Sequence, residues 1–232
     1  MPSTLRLLAI GDCNSSGKTP DTNVPKALVK RLAADGINCS LDNLGDAMNS
    51  SREGLAKARG HSAPADILLL SFGLVDAWVT TIPMFYISYY PDNKLKRRTR
   101  KILKSLKKRL RHPLLKHWIP TGPVVRKKEF QQNIEQTIEV LRRRNPQLKV
   151  VLWGAAPTDD EQRNRLLDEY NDILQTVAKA DNGLYLNTTQ SITASPRDEM
   201  FDDAVHLSKP ACQHVARALA PLIKQQIDHT PR

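Results

Sequence analysis

The run Leu5-Arg6-Leu7-Leu8-Ala9-Ile10-Gly11-Asp12-Cys13 decides the fold. It is short, almost wholly apolar, and stopped by a glycine and a carboxylate, as expected of a buried parallel strand whose carboxyl end carries functional groups. The same pattern returns along the chain. Residues 37–41 run into Asp42-Asn43-Leu44-Gly45, residues 66–72 end at Gly73, Lys149–Trp153 ends at Gly154, and Leu184–Leu186 makes a shorter fifth strand. Helical spacing fills the gaps: Val24, Ala27, Leu28 and Leu32, stopped by Gly36; then Phe130, Ile134, Ile138 and Leu141, ended by Asn145-Pro146. A further helix carries Leu166, Tyr170, Leu174 and Val177. The last starts after Ser208 with Pro210 in its first turn and buries Val215, Leu219, Leu222 and Ile223. This alternation predicts a three-layer α/β/α fold of the flavodoxin-like kind, with a five-stranded parallel sheet and its functional groups on the carboxyl edge.

The composition fits one such domain spanning residues 1–232, because 232 residues with 40% hydrophobic and 25% charged content exclude a disordered or collagen-like chain. No stretch approaches the roughly 18 consecutive apolar residues that span a bilayer, and Met1-Pro2-Ser3-Thr4 lacks the features of a secretory signal. The expected location is cytoplasmic. Three cysteines, Cys13, Cys39 and Cys212, are an odd number without metal-site spacing, so neither a disulfide framework, a metal nor a cofactor is expected.

The net charge of +11 is concentrated in one segment. Between Lys94 and Lys128 there are 15 Lys and Arg and no Asp or Glu, which leaves 20 basic against 24 acidic residues elsewhere. Residues 78–128 therefore read as an insertion in the α/β alternation. It opens with Trp78, Ile82, Met84, Phe85, Tyr86, Ile87, Tyr89 and Tyr90 and then turns basic. Leu95, Ile102, Leu103, Leu106 and Leu110 form one helical stripe, opposite Lys96, Arg97, Arg100, Lys101, Lys104, Lys107, Lys108 and Arg111. Such a helix can lie on an anionic membrane surface, which makes a peripheral position at the inner membrane face an expectation. The competing reading packs the stripe on the domain and leaves the cations as a solvated face. Nucleic-acid binding through the same charges ranks third, since no recognised nucleic-acid module accompanies them.

Near the C-terminus, Phe201-Asp202-Asp203-Ala204-Val205-His206 places a carboxylate three residues before a histidine, a pair able to orient an imidazole acting as general base. Gly11-Asp12-Cys13, Asn43-Leu44-Gly45 and Gly73-Leu74-Val75-Asp76 precede it, each at a strand end. These four blocks, in this order, resemble the SGNH/GDSL hydrolase family, whose pattern is Gly-Asp-Ser, a glycine, Gly-x-Asn-Asp and Asp-x-x-His. The resemblance implies an ester hydrolase or acyltransferase. By position it makes Cys13 the nucleophile, His206 its base and Asp203 the support of the histidine. It also places Gly45 and position 75 in the oxyanion hole.

Two positions depart from that pattern. Cys13 stands for the serine; a thiolate is a strong nucleophile, although a cysteine at a strand end is also a common small core residue. Val75 stands for the asparagine and cannot donate a hydrogen bond. Asn14 and Asn43 are candidates to replace it, beside the amides of Cys13 and Gly45. Ser15 and Ser16 read as loop residues, with a lesser alternative role as nucleophile, and Asp12 and Asp76 read as loop and helix-end supports. The expected substrate is an acylated small molecule or a glycan-linked acyl ester. The alternative is a catalytically weak or inactive binding protein of the same fold, associated with an anionic membrane or with polysaccharide assembly.

Overall fold

The computed structural model describes residues 4–81, 83, 98, 99, 101, 102, 105, 120–192 and 195–228. Strand β1 (Leu5–Gly11) leads through the short helix α1 (Cys13–Ser16) into α2 (Val24–Ala34) and strand β2 (Cys39–Asn43). Helix α3 (Ser51–Gly60) and strand β3 (Ile67–Ser71) follow, then the short strands β4 (Val79–Thr81) and β5 (Thr121–Pro123). The rest comprises α4 (Lys127–Arg142), β6 (Lys149–Trp153), α5 (Glu161–Ala180), β7 (Leu184–Leu186), α6 (Thr188–Ile192), α7 (Arg197–Met200) and α8 (Lys209–Asp228).

Five strands form one parallel sheet in the order β2-β1-β3-β6-β7. The direction in which strands are added reverses at β1, and in open parallel sheets the crevice at such a switch point is where ligands bind. Both faces are covered, which is why β1, β3 and β6 are nearly continuous in apolar residues. Leu8, Ile10, Leu68, Leu70, Val150 and Leu152 point to one face and pack with Phe130, Ile134 and Ile138 of α4 and Leu167, Tyr170 and Leu174 of α5. Leu7, Ala9, Ile67, Leu69, Val151 and Trp153 point to the other, against Val24, Leu28 and Leu32 of α2 and Val215, Leu219 and Ile223 of α8. Each fully buried leucine or isoleucine stabilises the fold by about 1.5–3 kcal/mol.

The predicted helices over 24–34 and after Ser208 match α2 and α8, and the latter begins with Ser208 Oγ accepting from the Ala211 N–H at 3.3 Å. Two differences have a physical cause. Strand β2 runs over Cys39–Asn43 rather than 37–41, because an edge strand is only partly buried on alternate residues and its register follows its pairing, Leu5 opposite Cys39 and Ala9 opposite Asn43. Helix α5 buries Leu167 and leaves Leu166 only partly covered.

The antiparallel pair β4–β5, with Val79 opposite Pro123, brings together the two ends of the expected insertion. Sequence reading found no such pairing, since the partners are three residues long and separated by about 40 positions. Lys101 and Ile102 are exposed, Ile102 to 62%. Lys96, Arg97, Arg100, Lys104, Lys107, Lys108 and Arg111, with Leu95, Leu103, Leu106 and Leu110, lie outside the described residues.

Helix α3 sits close to the sheet because Gly54 has no side chain: a Cβ there would stand 2.3 Å from Phe72 Cζ, and Phe72 is fully buried. Gly54→Ala is therefore expected to lower stability by about 1–3 kcal/mol through overpacking, despite alanine's better helix propensity. Urea unfolding checks this, and an unchanged or raised midpoint would contradict the packing described.

Candidate active site

Block I is built by crowding at the end of β1. Asp12 caps α1, its Oδ1 accepting from the Asn14 N–H at 3.1 Å, and so places Cys13 first in that helix. Ser15 is buried under the loop. A Cβ on Gly11 would lie 2.1 Å from Ser15 Oγ and one on Gly45 2.7 Å from Ser15 Cβ, so both glycines are required by the space Ser15 fills. Asn43 clasps the two blocks. Its Nδ2 donates to the Ser15 carbonyl at 2.9 Å, while its Oδ1 accepts from the Gly45 N–H at 2.9 Å. Asn43 and Gly45, both expected to face an oxyanion, thus spend these groups on holding the block I loop. Ser16 Oγ donates to the Cys13 carbonyl at 3.2 Å.

Block IV forms the expected acid–histidine pair. His206 Nδ1 lies 2.9 and 2.8 Å from the two Asp203 oxygens. The same carboxylate accepts from the Val205 and His206 N–H groups at 3.0 and 2.9 Å and from Lys18 Nζ at 3.1 Å. Burial opposes ionisation of Asp203, but these donors outweigh it and hold the carboxyl well below the usual carboxylate range. An ionised Asp203 on Nδ1 places the neutral ring's proton there and leaves Nε2 to take one. Blocks I and IV meet directly, since the Leu207 N–H donates to Asn14 Oδ1 at 3.2 Å.

Block III follows β3. Gly73 has φ +130°, Val75 is buried, and Asp76 accepts from the Ser51 N–H and Oγ at 2.9 and 2.7 Å and from the Gly73 N–H at 3.2 Å. Asn133 Nδ2 donates to Ser51 Oγ at 3.0 Å, extending the network to α4. Burial raises Asp76 to about 6, against the pull of Ser51, and raises Asp12 to about 7, where the charge of Asp76 adds to it and the Asn14 amide opposes it. In their hydrogen bonds Asp12 caps the start of α1 and Asp76 ties the Gly73 amide to the start of α3.

Cys13 is 6% exposed. Burial, with the charge of Asp12 adding to it, pushes its thiol well above the ordinary value, so the resting group is neutral. Among the described residues no hydrogen bond joins Cys13 Sγ to the His206 ring, whose Nδ1 is engaged by Asp203. Among the same residues no group of three or more His, Cys, Asp or Glu could hold a metal ion. No described helix is long and apolar enough to cross a membrane.

Sequence reading missed Arg163, in the first turn of α5. Its Nη2 donates to the Leu74 carbonyl, its guanidinium stacks 4.7 Å from the centre of the Trp78 ring, and its Nε is buried without a partner. Its charge acts on both Cys13 and Asp12. No motif marks it; only the observation that the loop after β6 ends on the carboxyl edge could have pointed there.

The five-stranded parallel sheet thus carries an Asp–His pair beside the first strand's loop. The sequence matches the GDSL-like lipase/acylhydrolase family over residues 9–213, and the chain belongs to that family. Solved structures agree in fold. A lipase/acylhydrolase from Enterococcus faecalis is 15% identical with a TM-score of 0.65, covering 99% of each chain. TesA is 17% identical with a TM-score of 0.65, over 95% of this chain and 99% of its own. A single-residue variant of Axe2, an acetyl-xylooligosaccharide esterase from Geobacillus, is 16% identical with a TM-score of 0.63, over 95% of this chain and 94% of its own. No curated protein matches the sequence at a significant level.

The raised Asp12 carboxyl has a consequence for stability. Its folded value, about 7, exceeds the ordinary 3.8, so the native state holds this proton more tightly than the unfolded chain. The resulting stabilisation is fully present below the ordinary value and is lost as pH rises through about 7. Thermal unfolding should show a steeper fall in Tm between about pH 4 and pH 8 for wild type than for Asp12→Asn, whose amide oxygen can still cap α1. Parallel profiles would contradict this.

Proposed function

We propose that the chain is an esterase or acyltransferase in which Cys13 attacks the acyl carbonyl, His206 serves as general base and acid, and Asp203 orients the imidazole. The observation that carries this reading is the Asn14–Leu207 hydrogen bond, which seats the Asp203–His206 pair against the Cys13 loop. The contact between thiol and imidazole closes when substrate binds, as catalytic hydrogen bonds often do.

Because the resting thiol is neutral, its proton leaves during attack. The Sγ–C bond forms while the carbonyl electron pair moves onto oxygen and the proton passes to His206 Nε2. Collapse returns the pair, breaks the C–O bond, and His206 protonates the departing alcohol. Water, or a sugar hydroxyl in a transferase, then attacks the thioester by the same route. The Cys13 N–H is one donor for the oxyanion.

The substrate class is an acylated small molecule or glycan; the description of the Axe2 relative as an acetyl-xylooligosaccharide esterase supports the sugar-linked form. The cationic segment 94–128 would gather the enzyme at anionic surfaces. A second reading, a binding protein of low activity, is favoured by the buried neutral thiol and by Val75.

Turnover of short p-nitrophenyl acyl esters distinguishes them. Wild type should hydrolyse these esters, while Cys13→Ala and His206→Ala each fall by about 10³-fold or more and Cys13→Ser retains more activity than Cys13→Ala. Equal rates in wild type, Cys13→Ala and His206→Ala would overturn the assignment, and absence of turnover in wild type would favour the binding protein.

A further inference from the structure

Val75 leaves the oxyanion hole short of a donor, and loss of one such donor typically costs about 10²–10³ in rate. The asparagine and glycine side of the cleft offers little in return. Asn43 Nδ2 and the Gly45 N–H are bonded to the loops, while Asn14, fixed through its Oδ1 by the Leu207 N–H, has only its neutral Nδ2 to offer. Among the described residues a cationic donor whose charge acts on Cys13 comes from a different element.

Arg163 projects from the start of α5 to the carbonyl of Leu74, the residue next to Val75, and is held there by stacking on Trp78. It is an unusual arginine. Among the described residues no carboxylate is in direct contact with it, although the charges of Asp12, Asp159 and Asp160 act on it from further off, and its Nε is buried with no acceptor. A partly desolvated guanidinium is costly to maintain without an anion in direct contact, and an oxyanion formed during the reaction could make that contact. The fork geometry suits that role, since one edge can stay on the Leu74 carbonyl while other N–H groups remain available.

We propose, on the reading of the site given above, that Arg163 supplies the oxyanion donor that Val75 cannot, receiving the negative charge as Cys13 adds to the carbonyl. The electron pair displaced onto the carbonyl oxygen is then met by the Cys13 N–H and the Arg163 guanidinium together. The charge is greatest in the tetrahedral intermediate, so the interaction lowers the barrier more than it tightens substrate binding.

Four variants test this with an uncharged acyl ester and a matched ester carrying a carboxylate. Arg163→Gln should lower kcat by about 10²–10³ on both, with KM changed less than about threefold. Arg163→Lys should fall between wild type and Arg163→Gln. Restoring the family's asparagine as Val75→Asn in the Arg163→Gln background should recover at least about tenfold, and free guanidinium should partly rescue Arg163→Ala. Circular dichroism and Tm identify any variant that fails to fold, and the rescue arms do not respond to a merely structural role. An unchanged kcat in folded Arg163→Gln overturns the proposal while leaving Cys13 and His206 in place. A loss confined to KM of the carboxylate ester overturns it in favour of substrate-anion binding. A wild type without turnover overturns both this role and the function on which it rests.

Discussion

The structure depends on the contact between the loop after the first strand and the loop before the last helix. The sheet alone delivers Cys13 to its carboxyl edge, but His206 arrives from a position 193 residues later, across the Asn14–Leu207 hydrogen bond. Asp203 is made a strong anchor by being surrounded with donors: two backbone amides, Lys18 and the imidazole itself. With that carboxylate ionised, the tautomer of His206 follows, and with it the direction in which a proton can move.

Around this contact the site is made by dense packing more than by free polar groups. Gly11 and Gly45 make room for Ser15, Asn43 stitches their loops together, and Asp76 ties block III to α3 through Ser51. Such networks hold backbone amides in fixed directions, which is what an electrostatically preorganised site requires. They also use up donors. The chain belongs to a family of lipases and acylhydrolases, and on the alignment of sequence blocks proposed above a thiol and a valine stand where the family pattern has a hydroxyl and an amide.

Much of this was legible in the amino-acid sequence. Uninterrupted apolar runs such as Leu68-Leu69-Leu70 have one explanation in a chain of alternating elements, a parallel strand buried on both faces, and Asp203-x-x-His206 keeps its meaning because both partners lie within one short loop. What escaped was set by tertiary contact. The start of β2 follows its pairing with β1 rather than its own hydrophobicity. The engagement of Asn43 with the Ser15 carbonyl depends on two loops meeting, and Arg163 looks like any arginine at the start of a helix until Leu74 and Trp78 are placed beside it.

The central proposal is that attack comes from the Cys13 thiol, on the loop that the Asn14–Leu207 hydrogen bond joins to the segment carrying the Asp203–His206 pair. Rapid acid quenching of the protein during reaction with an activated acetyl ester, followed by intact mass and peptide mapping, tests this most directly. The account predicts an acetyl thioester on Cys13 that is absent when His206 is replaced by alanine. An acetyl group on Ser15 or Ser16, or turnover with Cys13 never modified, would contradict it.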